Sequence, residues 1–383
     1  MLNDGVTGAA ELVDEYCRAF GSDSRTVCFG TDHEPGSLDE SDAIVYEDLK
    51  LAIIDHRSGD DNSAAIASNM MNSESVDDSF PEFYAFVDAA SPAITPTFAD
   101  NADLTWGLQA IGVTNVQYTG DGVKVAVSDT GIDIHHPDLR NKIAAARSFV
   151  PGKAVDDHNG HGTHCCGTIA GARKSAQRPR YGVAPDASLV VAKVLSNRGD
   201  GRQRDILAGM IWAVQQGAAI ISMSLVRAVR AGEPFDPAYE RAAQFALNNG
   251  SLVIAAAGNE SARRFGFIAA VGAPANSPSV MAVAAVDQVL DAADFSCGAI
   301  NGNGGAVDIA APGVGILSSW PLPREFRSIR GTSMACPHVA GVAALEIEAN
   351  QGLAGAAVRS HLKSKATSLQ APQRDVGAGL VQA

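Results

Sequence analysis

The chain has 383 residues, 46% of them hydrophobic, and a net charge of −14, enough length for two or three domains around a sizeable core. No apolar run is long enough to span a membrane, and neither a membrane nor a nucleic-acid partner is expected. The charge is uneven: residues 1–100 carry 21 acidic and 4 basic side chains, the remainder 22 and 25. In chain order, residues 1–97 read as a small acidic α+β region. Residues 30–42 have the composition of a disordered tail, residues 43–55 and 83–87 are strand-like, and residues 63–71 are helix-like. Ser91-Pro92-Ala93-Ile94-Thr95-Pro96-Thr97 reads as a linker to a second unit, residues 98–383.

The second unit begins its pattern with Val123-Lys124-Val125-Ala126-Val127-Ser128, a strand buried in a parallel sheet that ends at Asp129. Next comes Asn159-Gly160-His161-Gly162-Thr163-His164-Cys165-Cys166-Gly167, which places His161 between glycines, where backbone approaches closely and the imidazole stays accessible. Leu252-Val253-Ile254-Ala255-Ala256-Ala257 is another buried strand, ending in Gly258-Asn259. Gly331-Thr332-Ser333-Met334-Ala335-Cys336-Pro337-His338 then opens an apolar, alanine-rich run (339–345) that reads as a buried helix. Apolar strands alternating with helical stretches over residues 123–345 predict an α/β fold.

A serine hydroxyl is a poor nucleophile until a base takes its proton and a third group holds that base in the right tautomer. Ser333 at a helix mouth meets unpaired N–H groups and the positive end of the helix dipole, both of which favour an oxyanion. Taken alone, Ser333 is equally a helix N-cap and His161 a loop histidine. Together with Asp129 at a strand's carboxyl end and the Asn259 amide, they make a nucleophile, a base, an orienter and an oxyanion donor. His164 is expected to be a structural hydrogen-bonding histidine, Asp133 a turn carboxylate, and His135 and His136 surface loop residues with no zinc-like spacing. Six cysteines (Cys17, Cys28, Cys165, Cys166, Cys297 and Cys336) form no disulfide or zinc pattern.

The order aspartate, histidine, serine, with an amide donor between the last two, resembles the subtilisin-type serine proteases, the subtilases. Gly182-Val183-Ala184-Pro185, Ile221-Ser222-Met223-Ser224-Leu225, Ala311-Pro312-Gly313 and Gly377-Ala378-Gly379-Leu380-Val381 extend the resemblance over residues 106–383. It implies a three-layer domain with a mostly parallel central sheet. It also implies an endopeptidase working through an acyl-enzyme, with Asp129, His161 and Ser333 as the triad and Asn259 plus the Ser333 N–H as the oxyanion hole. A peptide or protein substrate would lie as an added strand between Ser224-Leu225-Val226 and Ala256-Ala257-Gly258, hydrogen-bonded to both.

The same resemblance makes residues 1–97 a propeptide-like intramolecular inhibitor, cleaved between residues 90 and 104; a permanent accessory domain or a disordered segment are the alternatives. No cofactor takes part in the chemistry. Asp138 matches a family calcium ligand, but Ala172-Arg173-Lys174-Ser175-Ala176-Gln177-Arg178-Pro179-Arg180 holds four cations and no carboxylate, so the loop site is expected to be absent while calcium elsewhere stays open. Val226 stands where many relatives have glycine and is expected to narrow the groove. Glu260, Asp156 and Asp157 either favour basic side chains near the cut or are solvated loop carboxylates. Cys165 follows His164 as in the proteinase K branch, with a thiol beneath the histidine, and Cys336 lies three residues after Ser333. Bulky mercurials are therefore expected to inhibit, although the motif argues against a thiol nucleophile.

Met1-Leu2-Asn3-Asp4-Gly5 shows no secretory signal pattern, which, with unpaired cysteines, favours a cytoplasmic enzyme; secretion, usual in the family, is the alternative. A dedicated processing protease competes with a broad one, and a catalytically silent binder is the reading from a different class.

Overall fold

A computed structural model describes residues 97–383 apart from 174–177 and 303, together with four short strands nearer the N-terminus. Strand β1 (Val27–Phe29) pairs parallel with β2 (Ala43–Tyr46), and β2 pairs antiparallel with β3 (Leu51–Ile54). The strand expected over 43–55 is thus two strands, and β4 (Tyr84–Phe86) falls within the one expected over 83–87. The expected tail at 30–42, the helix at 63–71 and linker residues 91–96 lie outside the described residues.

From α1 (Trp106–Ala110) the chain enters β5 (Lys124–Asp129), β6 (Ile143–Ser148), α2 (His161–Ala170) and β7 (Ser188–Lys193). Strand β8 (Asp200–Arg202) leads into α3 (Gln203–Gln215), then β9 (Ile220–Met223), α4 (Pro237–Asn248), β10 (Leu252–Ala256), β11 (Met281–Val286) and β12 (Ile309–Pro312). A hairpin, β13 (Ile316–Ser319) with β14 (Phe326–Ile329), precedes α5 (Thr332–Ala349), α6 (Ala356–Lys365) and α7 (Gln373–Val376).

Seven strands form one parallel sheet in the order β12-β11-β10-β9-β5-β7-β6. Strands β9, β10 and β11 are buried throughout, which is why they read as unbroken apolar runs rather than as an alternation. From β5 the chain visits β6 and β7 on one side, then returns to β9 and builds outward to β12. The order therefore reverses beside β5, and the carboxyl end of β5 borders the crevice where such sheets place their sites. Asp129 occupies that end.

Helix α5 is apolar on all sides, with Thr332–Glu346 buried, and it packs on α2, β9, β10 and β11. Close approach of α2 to β5 requires glycine: a Cβ on Gly162 would lie 2.2 Å from the Gly131 carbonyl oxygen, and one on Gly160, at φ +102°, 2.3 Å from the Trp320 ring. The hairpin clamps α2 from outside. Ser318 and Ser319 hydroxyls each donate at 2.8 Å, to the His164 and Thr163 carbonyls respectively. His136 is not the surface residue expected; it is fully buried, with Nε2 bonded to the Glu325 carbonyl at 2.9 Å.

Candidate active site

Asp129 is fully buried, and its carboxylate takes two bonds from the imidazole: His161 Nδ1 lies 2.8 Å from Oδ1 and 3.0 Å from Oδ2. The Thr130 N–H donates to Oδ1 at 2.7 Å, fixing the carboxylate's rotation. This arrangement leaves the proton on Nδ1 and the lone pair on Nε2. His161 Nε2 is itself buried and has no hydrogen-bond partner among the described residues. Burial alone pulls the His161 pKa down, but the Asp129 charge and hydrogen bond, joined by the Asp157 charge, outweigh it and leave the pKa raised.

Ser333 is the second residue of α5 and is 4% exposed. Its hydroxyl donates to the Ser224 carbonyl at 3.3 Å, while the Ser224 hydroxyl donates to the Ser333 carbonyl at 2.8 Å. That carbonyl is available because Pro337, four residues on, has no N–H to give it. Cys165, one turn after His161, fills the remaining space: its Sγ lies 3.9 Å from His161 Nδ1 and donates to the Ser333 carbonyl at 3.6 Å. One sulfur atom thus bridges the histidine and the serine. The Asn259 Oδ1 accepts from the Thr332 N–H at 2.8 Å and the Thr332 hydroxyl at 3.0 Å, so its Nδ2 hydrogens are turned outward. The Ser333 N–H, in the first turn of α5, has no intrahelical acceptor.

A subtilase family model matches residues 120–379, more than half of the chain. The chain belongs to the subtilase family. Subtilisin Savinase from Lederbergia lenta is 42% identical over 283 residues, 73% of this chain and 96% of that protein. An alkaline protease from Alkalihalobacillus alcalophilus is also 42% identical over 283 residues, covering 68% of its own length. Among solved structures, that of sphericase superposes with a TM-score of 0.65 at 32% identity, over 74% of this chain and 99% of the other. The protein is a subtilisin-type serine protease, a hydrolase acting on protein or peptide, with the parallel-sheet fold the resemblance implied.

The two walls expected for the substrate strand differ in this subtilase. Ala257 donates to the Val283 carbonyl and accepts from the Gly272 N–H, both at 2.9 Å; Gly258 donates to the Thr332 hydroxyl at 3.1 Å and accepts from the Cys297 N–H at 3.0 Å. Ala256 is paired into the sheet with Val283. With their main chains committed, Ala257 and Gly258 make a wall rather than rungs of the hydrogen-bonding ladder expected over Ala256, Ala257 and Gly258. A strand that sequence reasoning missed is β8, which folds back just beyond the carboxyl end of β7 and pairs antiparallel with β4, Ala85 opposite Gly201. Its three-residue length and glycine gave no strand signal. Ser224 and Leu225 are buried beside Ser333 as expected. Val226 is buried as well, and a Cβ on Gly272 would lie 2.3 Å from Val226 Cγ2, so the valine's bulk is accommodated by that glycine.

Asp157 fits neither role weighed for it. It is 4% exposed and accepts from five donors: the Thr130 hydroxyl at 2.9 Å, the Asn159 and Gly160 N–H groups at 3.0 and 2.8 Å, and Thr163 N–H and hydroxyl at 2.8 and 2.7 Å. It is the anionic cap of α2. A carboxylate just before a helical run is the signal that could have found it. Glu260 accepts from the Cys297 thiol at 3.0 Å. Asp156, with Asp133 and Trp320, lines a cavity of about 490 Å³ beside the loop that leads to His161.

His164 is structural, as expected: its Nε2 bonds to the Ile316 and Arg327 carbonyls at 2.9 and 3.1 Å, and burial lowers its pKa to about 3. Burial, reinforced by Asp129, pushes the Cys165 thiol well up, and burial pushes Cys336 to about 11. Neither is poised as a thiolate nucleophile. Among the described residues, one group of His, Cys, Asp and Glu has ligand atoms within 4.8 Å of one another: Asp129, His161 and Cys165. Two of these are spent on each other and the third holds its proton, which is poor metal chemistry. Asp138, which matches the family's calcium ligand, and Arg180, at the end of the loop weighed with it, are each bonded within the chain. Asp138 accepts from the Tyr181 hydroxyl at 2.7 Å, and the Arg180 guanidinium takes the Gly182 and Val183 carbonyls at 3.0 and 2.8 Å. Among the described residues no helix is long and apolar enough to cross a membrane.

Proposed function

We propose that Ser333 attacks the peptide carbonyl while His161 Nε2 takes its proton, and that Asp129 holds the ring and stabilises the imidazolium. The observation that carries this reading is the two-point Asp129–His161 bond with a buried, unpartnered Nε2 directed away from it. Rotation about the Ser333 Cα–Cβ bond moves its hydroxyl from the Ser224 carbonyl to that nitrogen when substrate arrives, catalytic hydrogen bonds commonly tightening only then. The oxyanion is received by Asn259 Nδ2 and the Ser333 N–H. His161 then gives its proton to the leaving amine, and the Ser333 ester is hydrolysed by water activated on the same ring. No metal or cofactor enters these steps, and residues 98–383 are the peptidase unit.

A fluorophosphonate probe is expected to label Ser333 and nothing else. Labelling must fade as pH falls through the raised pKa of His161, since the imidazolium cannot accept the serine proton; that limb lies above the usual histidine value of 6.5. An unlabelled Ser333 would return the protein to the class of silent binders.

The N-terminal region restrains the enzyme by strand addition: β4 occupies β8, the open edge beside the site, where substrate main chain would otherwise pair. Cleavage between residues 90 and 104 then releases it. Successive N–H groups of a strand face opposite edges, so of two proline variants, at Ala85 and at Phe86, one removes a donor to β8 and should raise the activity of the uncleaved chain several-fold on a short peptide. Unchanged latency in both would end this reading. Of the two locations weighed, the subtilisin relatives give no support to the cytoplasmic one, and secretion is the better supported.

A further inference from the structure

Lys193 ends β7 directly opposite Asp129, its register partner on β5. It is fully buried, among the largest side chains so enclosed. A buried ammonium is costly unless charge and hydrogen bonds compensate it, and here both come from the site. Its Nζ donates to the Thr130 carbonyl, the residue after Asp129, and to Asn197 Oδ1 at 2.9 Å. Two routes lead from these bonds to the histidine. Thr130 donates its N–H to Asp129 at 2.7 Å and accepts the Gly162 N–H at 2.9 Å. The Asn197 carbonyl accepts from Asn159 Nδ2 at 3.2 Å, and Asn159 Oδ1 accepts the His161 N–H at 3.3 Å.

Resting on the triad reading above, we propose that Lys193 is a positioning residue for Asp129 and His161. Its ammonium fixes the backbone on both sides of the pair and places a positive charge among the Asp129, Asp156 and Asp157 carboxylates. The groups facing the cluster are Asp129 from β5, Asp156 and Asp157 from the loop before α2, His164 and Cys165 from α2, and Lys153 from the loop after β6. With His161 neutral, the two fully engaged carboxylates and Lys193 leave one net negative charge. Without the ammonium that becomes two, and protonation of His161 grows easier.

The sign follows: removing the cation raises the His161 pKa, so activity is lost at a higher pH on acidification. In the full chain, the acid limb of kcat/KM on a peptide anilide should move up by about one unit in Lys193→Met, the low end for loss of a nearby charge. Lys193→Arg, which keeps the charge, should keep the wild-type limb. Asn197→Asp, at a half-buried position, places a carboxylate on the ammonium and should move the limb the same way by less. A merely structural lysine would lower the melting midpoint and leave the limb in place. Superimposable limbs in folded Lys193→Met and wild type overturn the inference; if Lys193→Met does not fold, an unshifted Asn197→Asp overturns it. Fluorophosphonate labelling of wild type separates the two failures: no label on Ser333 overturns the triad and this inference with it, whereas a label with unmoved limbs overturns the role of Lys193 alone.

Discussion

Alanine at Ser333 or at His161 lowers kcat by about 10⁶-fold, the loss typical of subtilisin-type triads, and leaves the melting midpoint within a few degrees of wild type. The double variant is no worse than either single one, because base and nucleophile act as a unit and neither retains value alone. Alanine at Asn259 has a different signature. It removes a donor that matters when charge develops on the carbonyl oxygen, so kcat falls about 10²–10³-fold with KM little changed. It also frees the Thr332 N–H and hydroxyl, so Asn259→Asp, which keeps the acceptor and loses the donor, isolates the catalytic part. Single-turnover rates on a peptide amide check all five variants. Additive losses for Ser333 and His161, or an Asn259 effect confined to KM, would sink the assignment.

Alanine at Asp157 is expected to lower the melting midpoint by roughly 10 °C, from about 3 kcal/mol or more of lost stability. Five donors converge on this nearly enclosed carboxylate, and three of them are N–H groups at the entrance to α2. Alanine leaves them buried and unpaired, which costs more than the bonds themselves. Asparagine keeps the acceptor for Thr130, Asn159 and Gly160 but faces Thr163 with an amide nitrogen, so its loss should be intermediate. Because α2 begins with His161, activity should fall faster than stability as temperature rises. A midpoint within 2 °C of wild type would show that water replaces the carboxylate without cost.

Much of the sheet was legible before any coordinates. Strands β5 and β10 announce themselves as apolar runs ending in a polar residue, because a parallel strand covered on both faces has no solvent side to alternate with. Helix α5 was legible for the same reason. Illegible features fall into two kinds. Strand β8 is short and glycine-containing, so no propensity marks it; only its antiparallel partner makes it a strand. His136, Asp157 and Lys193 are polar residues in loop-like or strand-end contexts, and whether such a residue is solvated or enclosed depends on elements far away in sequence, such as the β13–β14 hairpin over His136.

The sequence by itself determined the family, the sheet, and the four residues to which the proposed chemistry is assigned. Those signals are local, each written in a few consecutive residues whose size and polarity leave little choice. Only the tertiary structure decided that the Ala257 and Gly258 main chains are bonded within the fold, that Asp157 is a helix cap, that the Arg180 guanidinium takes the Gly182 and Val183 carbonyls, and that a buried lysine stands opposite Asp129. These follow from the pairing of distant backbone donors and acceptors and from desolvation of charge, and neither quantity exists until the chain has closed around them.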